Sequence, residues 1–151
     1  MKKILLNLVF SLLAFNCFAQ TDDAVIEEIQ YYIQSTSQNE WFDPVNKTET
    51  LDDGSVSDLS YYILPNGEVF SIIYTVFDKN TLRKVFYYQN NKLIAGIIEE
   101  HDGNNANKLL WYADYFYKDG LLINTTDENE DFSSTKAYAE GTEKLKEAAS
   151  L

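Results

Sequence analysis

Three short phrases decide what this chain can fold into: Pro65-Asn66-Gly67-Glu68, Gln89-Asn90-Asn91-Lys92 and Lys118-Asp119-Gly120-Leu121. Each sets Asn or Asp followed by Gly or Asn between two apolar segments. A two-residue hairpin needs positive φ at both central residues, and these residue types tolerate it. The stretch from Tyr61 to Thr125 therefore reads as consecutive antiparallel strands, a β-meander.

A turn centred on Asn66-Gly67 sets the pairing of the first hairpin. Ile63 then faces Phe70, Tyr61 faces Ile72 and Leu59 faces Tyr74 on one side of the sheet. Tyr62 with Ser71, Ser60 with Ile73, and Asp58 with Thr75 fall on the other. One side is apolar and one mixed, the pattern of a sheet resting on a core. The connection Asp78-Lys79-Asn80-Thr81 holds two residues or three. That choice decides whether Val85 and Tyr87, or Phe86 and Tyr88, join the core side, because a one-residue slip reverses every side chain. Leu93 to Ile98 is apolar on both sides and reads as a central strand. His101 to Asn107 reads as a polar loop, and Lys108–Tyr117 with Leu121–Thr125 as the last hairpin.

Helical periodicity flanks the strands. After Thr21-Asp22-Asp23, the residues Val25, Ile26, Ile29, Tyr32 and Ile33 share one face, and the pattern fades in Ser35 to Asn39. A polar connection follows from Glu40 to Ser57, broken by Pro44 and Gly54, in which Trp41 and Phe42 tuck against the core. After the acidic run Asp127 to Asp131, Phe132-Ser133-Ser134 resembles a staple and cap. The helix it opens turns Tyr138, Gly141, Leu145 and Ala148 inward and Lys136, Glu140, Glu143, Lys144 and Glu147 outward. The expected fold is α+β: one antiparallel meander of about five to six strands, with an N-terminal and a C-terminal helix packed on one face.

The first residues read as an export signal. Lys2 and Lys3 precede an apolar run, Ile4 to Phe15, too short to span a bilayer, and Cys17-Phe18-Ala19 offers a cleavage site before Gln20. Acylation of Cys17 is the competing reading, against which stands Asn16 where a small residue is usual. The expected organisation is a signal peptide at 1–19 and a single domain at 20–151, periplasmic or secreted. No later apolar run approaches the length of a membrane span.

The signal holds two of the chain's 12 basic residues and none of its 24 acidic ones, so the mature chain carries −14. Such a charge repels nucleic acid and suits a basic protein partner or simple solubility. The single cysteine lies in the signal, which removes thiol nucleophiles, thiolate metal sites and disulfides from the mature domain.

Phe86-Tyr87-Tyr88-Gln89-Asn90-Asn91-Lys92-Leu93-Ile94 and Tyr115-Phe116-Tyr117-Lys118-Asp119-Gly120-Leu121-Leu122-Ile123 repeat one pattern: three aromatics, a turn, then an aliphatic pair. Over residues 58–125 the chain resembles small exported bacterial proteins of unknown function whose strands carry Tyr-Tyr-Phe-x-Asp-Gly-Lys-Leu-Ile. More distantly it is similar to MORN-type hairpin repeats, some associated with toxin–antitoxin systems. Asn91 replaces the turn glycine in one copy and Leu121 a lysine in the other. The first copy, Ile63-Leu64-Pro65-Asn66-Gly67, lacks the aromatics. The resemblance implies no catalytic residue.

Few residues suggest chemistry. His101 with Asp102 supplies a base and an orienting carboxylate, but no serine sits in a nucleophile context. Asp127-x-Asn129-x-Asp131 spaces oxygens like the start of a calcium loop, yet Phe132 and Tyr138 stand where glycine and a bidentate acid belong. Glu99, Glu100, His101 and Asp102 are crowded ligand types that alternate across a strand. No catalytic, metal or cofactor site is expected. The tyrosine excess points instead to binding, with Tyr62, Tyr88, Tyr115 and Tyr117 as contact residues on an open sheet face. The expected function is that of an exported, non-enzymatic binding module that meets a protein or glycan of the cell envelope through the aromatic-rich sheet face or the acidic surface. The alternative is an inhibitor or immunity-type protein acting on a basic exported enzyme.

Overall fold

The computed structural model describes residues 22–39, 42–128 and 131–150. Helix α1 (Asp22–Asn39) leads into seven strands, and helix α2 (Ser134–Ala148) closes the chain. The strands are β1 (Val45–Thr50), β2 (Val56–Ile63), β3 (Val69–Phe77), β4 (Asn80–Gln89), β5 (Lys92–Asp102), β6 (Asn105–Lys118) and β7 (Leu121–Thr125). They form one antiparallel sheet in sequence order, β1 through β7. The fold class is α+β, as the pattern predicts. The expected five to six strands become seven because β1 lies inside the segment read as a polar connection. Trp41, Asn129 and the export-signal residues lie outside the described residues.

The turns explain the register. Asn90 (φ 52°) and Asn91 (φ 57°) are both left-handed, as are Asp119 (φ 50°) and Gly120 (φ 83°). Both are the two-residue hairpin turns predicted. The first differs. Leu64 N donates to Glu68 O at 2.8 Å and Gly67 N to Leu64 O at 2.8 Å, with only Gly67 (φ 86°) left-handed. Pro65, Asn66 and Gly67 thus make a three-residue loop, the geometry in which proline favours the opening position and glycine the last.

The extra loop residue pairs Ile63 with Val69 instead of Phe70. A bulge between Tyr62 and Ile63 then takes the residue back, so Tyr61↔Ile72, Leu59↔Tyr74 and Ser60↔Ile73 stand as predicted. Two single-residue offsets cancel, and Phe70 passes to the opposite face. At the next connection three residues separate the paired Phe77 and Thr81.

That register puts Phe86 and Tyr88 in the main core with Leu59, Tyr61, Ile72, Ile98, Ala113 and Tyr115. Ala137, Tyr138, Leu145 and Ala148 of α2 complete this layer. Val25 and Ile29 of α1 pack instead with Ile94, Ala95, Phe116 and Tyr87. Adjacent strand residues point to opposite faces, so Phe86 and Tyr87 identify two layers. The helices cover opposite faces of the sheet, which corrects the expectation of both on one face. The reason lies in β4 and β5, whose Phe86-Tyr87-Tyr88 and Leu93-Ile94-Ala95 are apolar on both sides and need two covers.

Smaller corrections follow from packing. Helix α1 continues through Ser35 to Asn39 rather than fading there. His101, Asp102 and Asn105 to Asn107, expected in a loop, extend β5 and β6. Glu140 and Lys144 do not face solvent alone: Glu140 Oε2 pairs with Lys84 Nζ at 2.6 Å, and Lys144 Nζ sits 4.8 Å from the centre of the Tyr74 ring. Ser133 caps α2 through its side chain, which accepts from Lys136 N at 3.4 Å. Phe132 stacks on Trp111, ring centres 4.8 Å apart.

The β5–β6 turn is held against the β3–β4 turn at Gly103. A Cβ there would lie 2.0 Å from the backbone oxygen of Lys79. Gly103→Ala is therefore expected to push the two turns apart at a cost of about 1–3 kcal/mol, read as a lower urea midpoint. An unchanged midpoint would show that the two turns do not bear on each other.

Candidate functional site

The predicted binding tyrosines separate. Tyr88 and Tyr115 are 0% exposed and Tyr117 is 2%, so these three are core residues rather than contact residues. Their rings face α2, and their hydroxyls find backbone acceptors around it. Tyr88 OH donates to Gly141 O at 2.7 Å, Tyr117 OH to Ser134 O at 2.8 Å, and Tyr115 OH to Phe132 O. A tyrosine buries an apolar body while its hydroxyl satisfies a carbonyl, which accounts for much of the surplus. Tyr62 alone stays half-exposed, on the α1 face against the edge of Phe42 at 5.8 Å. Phe42 itself stacks on Phe70 at 5.2 Å, the inward packing expected of it.

The α1 face is where side chains remain accessible. Its registers read as cross-strand rows. Tyr62, Ser71, Tyr87, Ala95 and Phe116 form the first, capped by α1 and Phe42. Ser60, Ile73, Val85, Ile97 and Asp114 form the second. Asp58, Thr75, Arg83, Glu99 and Tyr112 form the third, and Val56, Phe77, Thr81, His101 and Leu109 the fourth. Among the described residues no helix lies over the last two rows. Phe77 is 44% exposed, Val56 39% and Tyr112 38%.

Between α1 and the second row runs a cleft of about 240 Å³, lined by Ile33 and Gln34 on the helix and by Tyr87, Ile97, Tyr112 and Asp114 on the sheet. Burial pushes the Tyr87 phenol up, and so does the nearby Glu99 carboxylate, while Arg83 opposes them. Burial raises the Tyr112 phenol as well, with Asp114 adding to it. Both rings therefore stay protonated near neutrality and offer hydroxyl donors. Tyr112 OH donates to Asp114 Oδ2 at 3.4 Å, a long contact, while Asp114 Oδ1 is buried without a partner among the described residues.

Arg83 Nη1 donates to Glu99 Oε2 at 2.8 Å, and His101 Nε2 lies 3.7 Å from the same oxygen. The His101–Asp102 pair does not assemble. Asp102 takes the backbone N–H of Asn104 at 2.9 Å and Lys108 Nζ at 3.0 Å, which hold its carboxyl below the usual range. Glu100 points to the other face, where it accepts from Asn80 Nδ2 at 2.7 Å. Asp127 Oδ2 accepts from Trp111 Nε1 at 2.7 Å and its Oδ1 from Glu128 N at 2.8 Å, so its carboxylate serves the local turn. Among the described residues no helix is long and apolar enough to cross a membrane.

The residues of this face that sequence reasoning missed, Tyr87, Ile97, Tyr112 and Phe77, are ordinary strand residues by type. The three-residue Phe77–Thr81 connection turns Tyr87 to the α1 side, and the pairings of β5 and β6 bring Ile97 and Tyr112 there, while Phe77 shares that side with Thr75 through the first hairpin. No family model matches the chain, and neither a curated protein nor a solved structure matches it.

Proposed function

We propose that this chain is an exported, non-enzymatic binding protein that engages a protein or glycan of the cell envelope through the part of the sheet α1 leaves uncovered. One observation carries the reading: two rows of side chains across five strands, from Val56 and Phe77 to Tyr112, stand half-buried or exposed, and among the described residues no helix lies above them. Rigid strands hold this surface, and it mixes apolar groups with the Arg83–Glu99 pair, the composition of a contact patch. A second reading, an inhibitor or immunity-type protein acting on a basic exported enzyme, draws on the formal charge of −12.

The test pairs a face variant with salt. Capture from an envelope extract by the wild type should retain a partner that the Val56→Asp/Phe77→Asp variant retains at least about tenfold less, since two apolar side chains that the partner would cover are replaced by charges. Both positions are exposed, so the variant should melt within a few degrees of the wild type. Retention that survives about 0.5 M salt favours the apolar face, and complete release by salt favours the charge-led reading. Turnover of a glycoside or ester panel by the purified chain would overturn both.

A further inference from the structure

The edge of the sheet offers a second binding element. We propose that an extended segment of a basic partner protein adds as a strand to the free edge of β6. This goes beyond the face reading, because it rests on backbone groups at the edge of the sheet.

Strand β6 has 14 residues and its outer neighbour β7 has five. Their pairing ends at Tyr115↔Thr125. One step further, Thr126 N donates to Asp114 O at 3.3 Å and Asp114 N donates to Thr126 Oγ1 at 3.1 Å. The backbone groups of Asp114 thus face the β7 side. Alternate residues of a strand face the same neighbour, so the N–H and C=O of Tyr112 point there too, where no described residue meets them. Beyond Trp111 the register of β6 with β5 shifts twice, so Tyr112 is the regular outward pair. Among the described residues the whole stretch before Asp114 lacks a strand partner on this side, and such an edge is a template for another strand.

The side chains agree. Among the described residues nine large apolar side chains are exposed, and five belong to this last hairpin: Leu109, Leu110, Tyr112, Leu121 and Leu122. The opposite edge is protected in the usual way. Strand β1 reads Val-Asn-Lys-Thr-Glu-Thr, with Lys47 paired to Glu49. On the open stretch of β6 the one charge is Lys108, already tied to Asp102 at 3.0 Å.

Charge selects the occupant. Asp114, Asp127 and Glu128 flank the notch where β7 stops, and among the described residues none of them pairs with a lysine or arginine. Asp127 holds Trp111, and Glu128 Oε1 accepts from Ser134 N at 2.5 Å. A second copy of this chain would bring the same carboxylates and a charge of −12 against them, whereas a lysine- or arginine-bearing segment would match them.

The probe is a synthetic peptide of alternating Val and Thr with two lysines at each end, titrated into the full chain and followed by backbone amide shifts. Shifts are expected along residues 107–113, and a twin with glutamates in place of the lysines should bind at least about tenfold more weakly at low salt. Tyr112→Pro removes the outward N–H from a position where proline is compatible with an edge strand, and should weaken binding about tenfold or more. Tyr112→Thr keeps the donor and should stay within about threefold. If the proline variant does not fold, Leu109→Lys/Leu110→Lys at two exposed positions should cause a similar loss by placing charge on the edge. The idea is overturned by no binding to the wild type, by equal binding of the two peptides, or by undiminished binding to a folded edge variant. Wild-type self-association that Tyr112→Pro abolishes would hand the edge to a second copy and overturn it as well. The Val56→Asp/Phe77→Asp variant should leave peptide binding unchanged, which separates this edge from the face proposed above.

Discussion

Replacing Gly141 should destabilise the protein at a helix position where the same change ordinarily stabilises. Gly141 sits inside α2, and glycine to alanine in an exposed helix interior gains about 1 kcal/mol from propensity. Here a Cβ would lie 2.8 Å from Phe86 Cδ1 and 2.9 Å from Leu93 Cδ2. Phe86 is 0% exposed and has no room to retreat. The helix would have to lift, and the Tyr88 hydroxyl bond to Gly141 O would lengthen with it. Gly141→Ala is expected to lose about 1–3 kcal/mol net and Gly141→Leu about 3 kcal/mol or more, seen in urea unfolding and as a melting point lower by several degrees. Glu143→Ala, an exposed site on the same helix, should be close to neutral. Combining Gly141→Ala with Phe86→Leu should recover part of the loss, because neighbouring sites couple. A neutral or stabilising Gly141→Ala would mean that α2 does not approach the sheet this closely.

Alkaline pH should unfold the chain earlier than its acidic groups alone suggest. Burial pushes the Tyr88 and Tyr117 phenols far above the ordinary value near 10, with Glu140 adding to the first and Tyr115 to the second. Burial, aided by Glu128 and Asp127, pushes Tyr115 up to about 12. A phenol whose pKa is higher in the folded chain keeps its proton more tightly when folded. Its contribution is complete below about pH 10 and declines as pH rises toward the folded value. Each fully buried phenol then removes up to about 1.4 kcal/mol per pH unit above 10, so the group of three makes a steep alkaline limb. Urea midpoints from pH 8 to 11.5, read beside tyrosinate absorbance, should be flat and then fall, with tyrosinate appearing as the tertiary signal is lost. Tyr88→Phe should remove about a third of the limb while costing about 1–2 kcal/mol near neutrality, since Gly141 O loses its donor. Ionisation of these tyrosines with the tertiary signal intact would contradict their place in the core.

The hairpins were legible because turn chemistry is local. Asn90-Asn91 and Asp119-Gly120 need no partner to prefer positive φ, and both adopt it. Strand β1 was legible too by the same logic, although its polar composition hid it. Leu51-Asp52-Asp53-Gly54-Ser55 repeats Leu64-Pro65-Asn66-Gly67-Glu68, and the two loops share their bonds. Gly54 N donates to Leu51 O at 2.9 Å, and Asp53 Oδ1 takes Ser55 N at 2.9 Å where Asn66 Oδ1 takes Glu68 N at 3.0 Å. An edge strand with little to bury shows no apolar alternation, so its turn is the clearer signal. The site was less legible. Tyr88, Tyr115 and Tyr117 look like surplus aromatics until α2 and Phe132, just before it, supply carbonyls for their hydroxyls.

Composition, periodicity and turn residues by themselves determined an antiparallel meander between two amphipathic helices, since each depends on a few neighbouring residues. The side each helix covers, the row each tyrosine joins and the length of β6 left open were decided only in the tertiary structure. Side-chain direction in a strand inverts with every single-residue offset, and the Tyr62–Ile63 bulge and the Phe77–Thr81 connection set those offsets through contacts between strands.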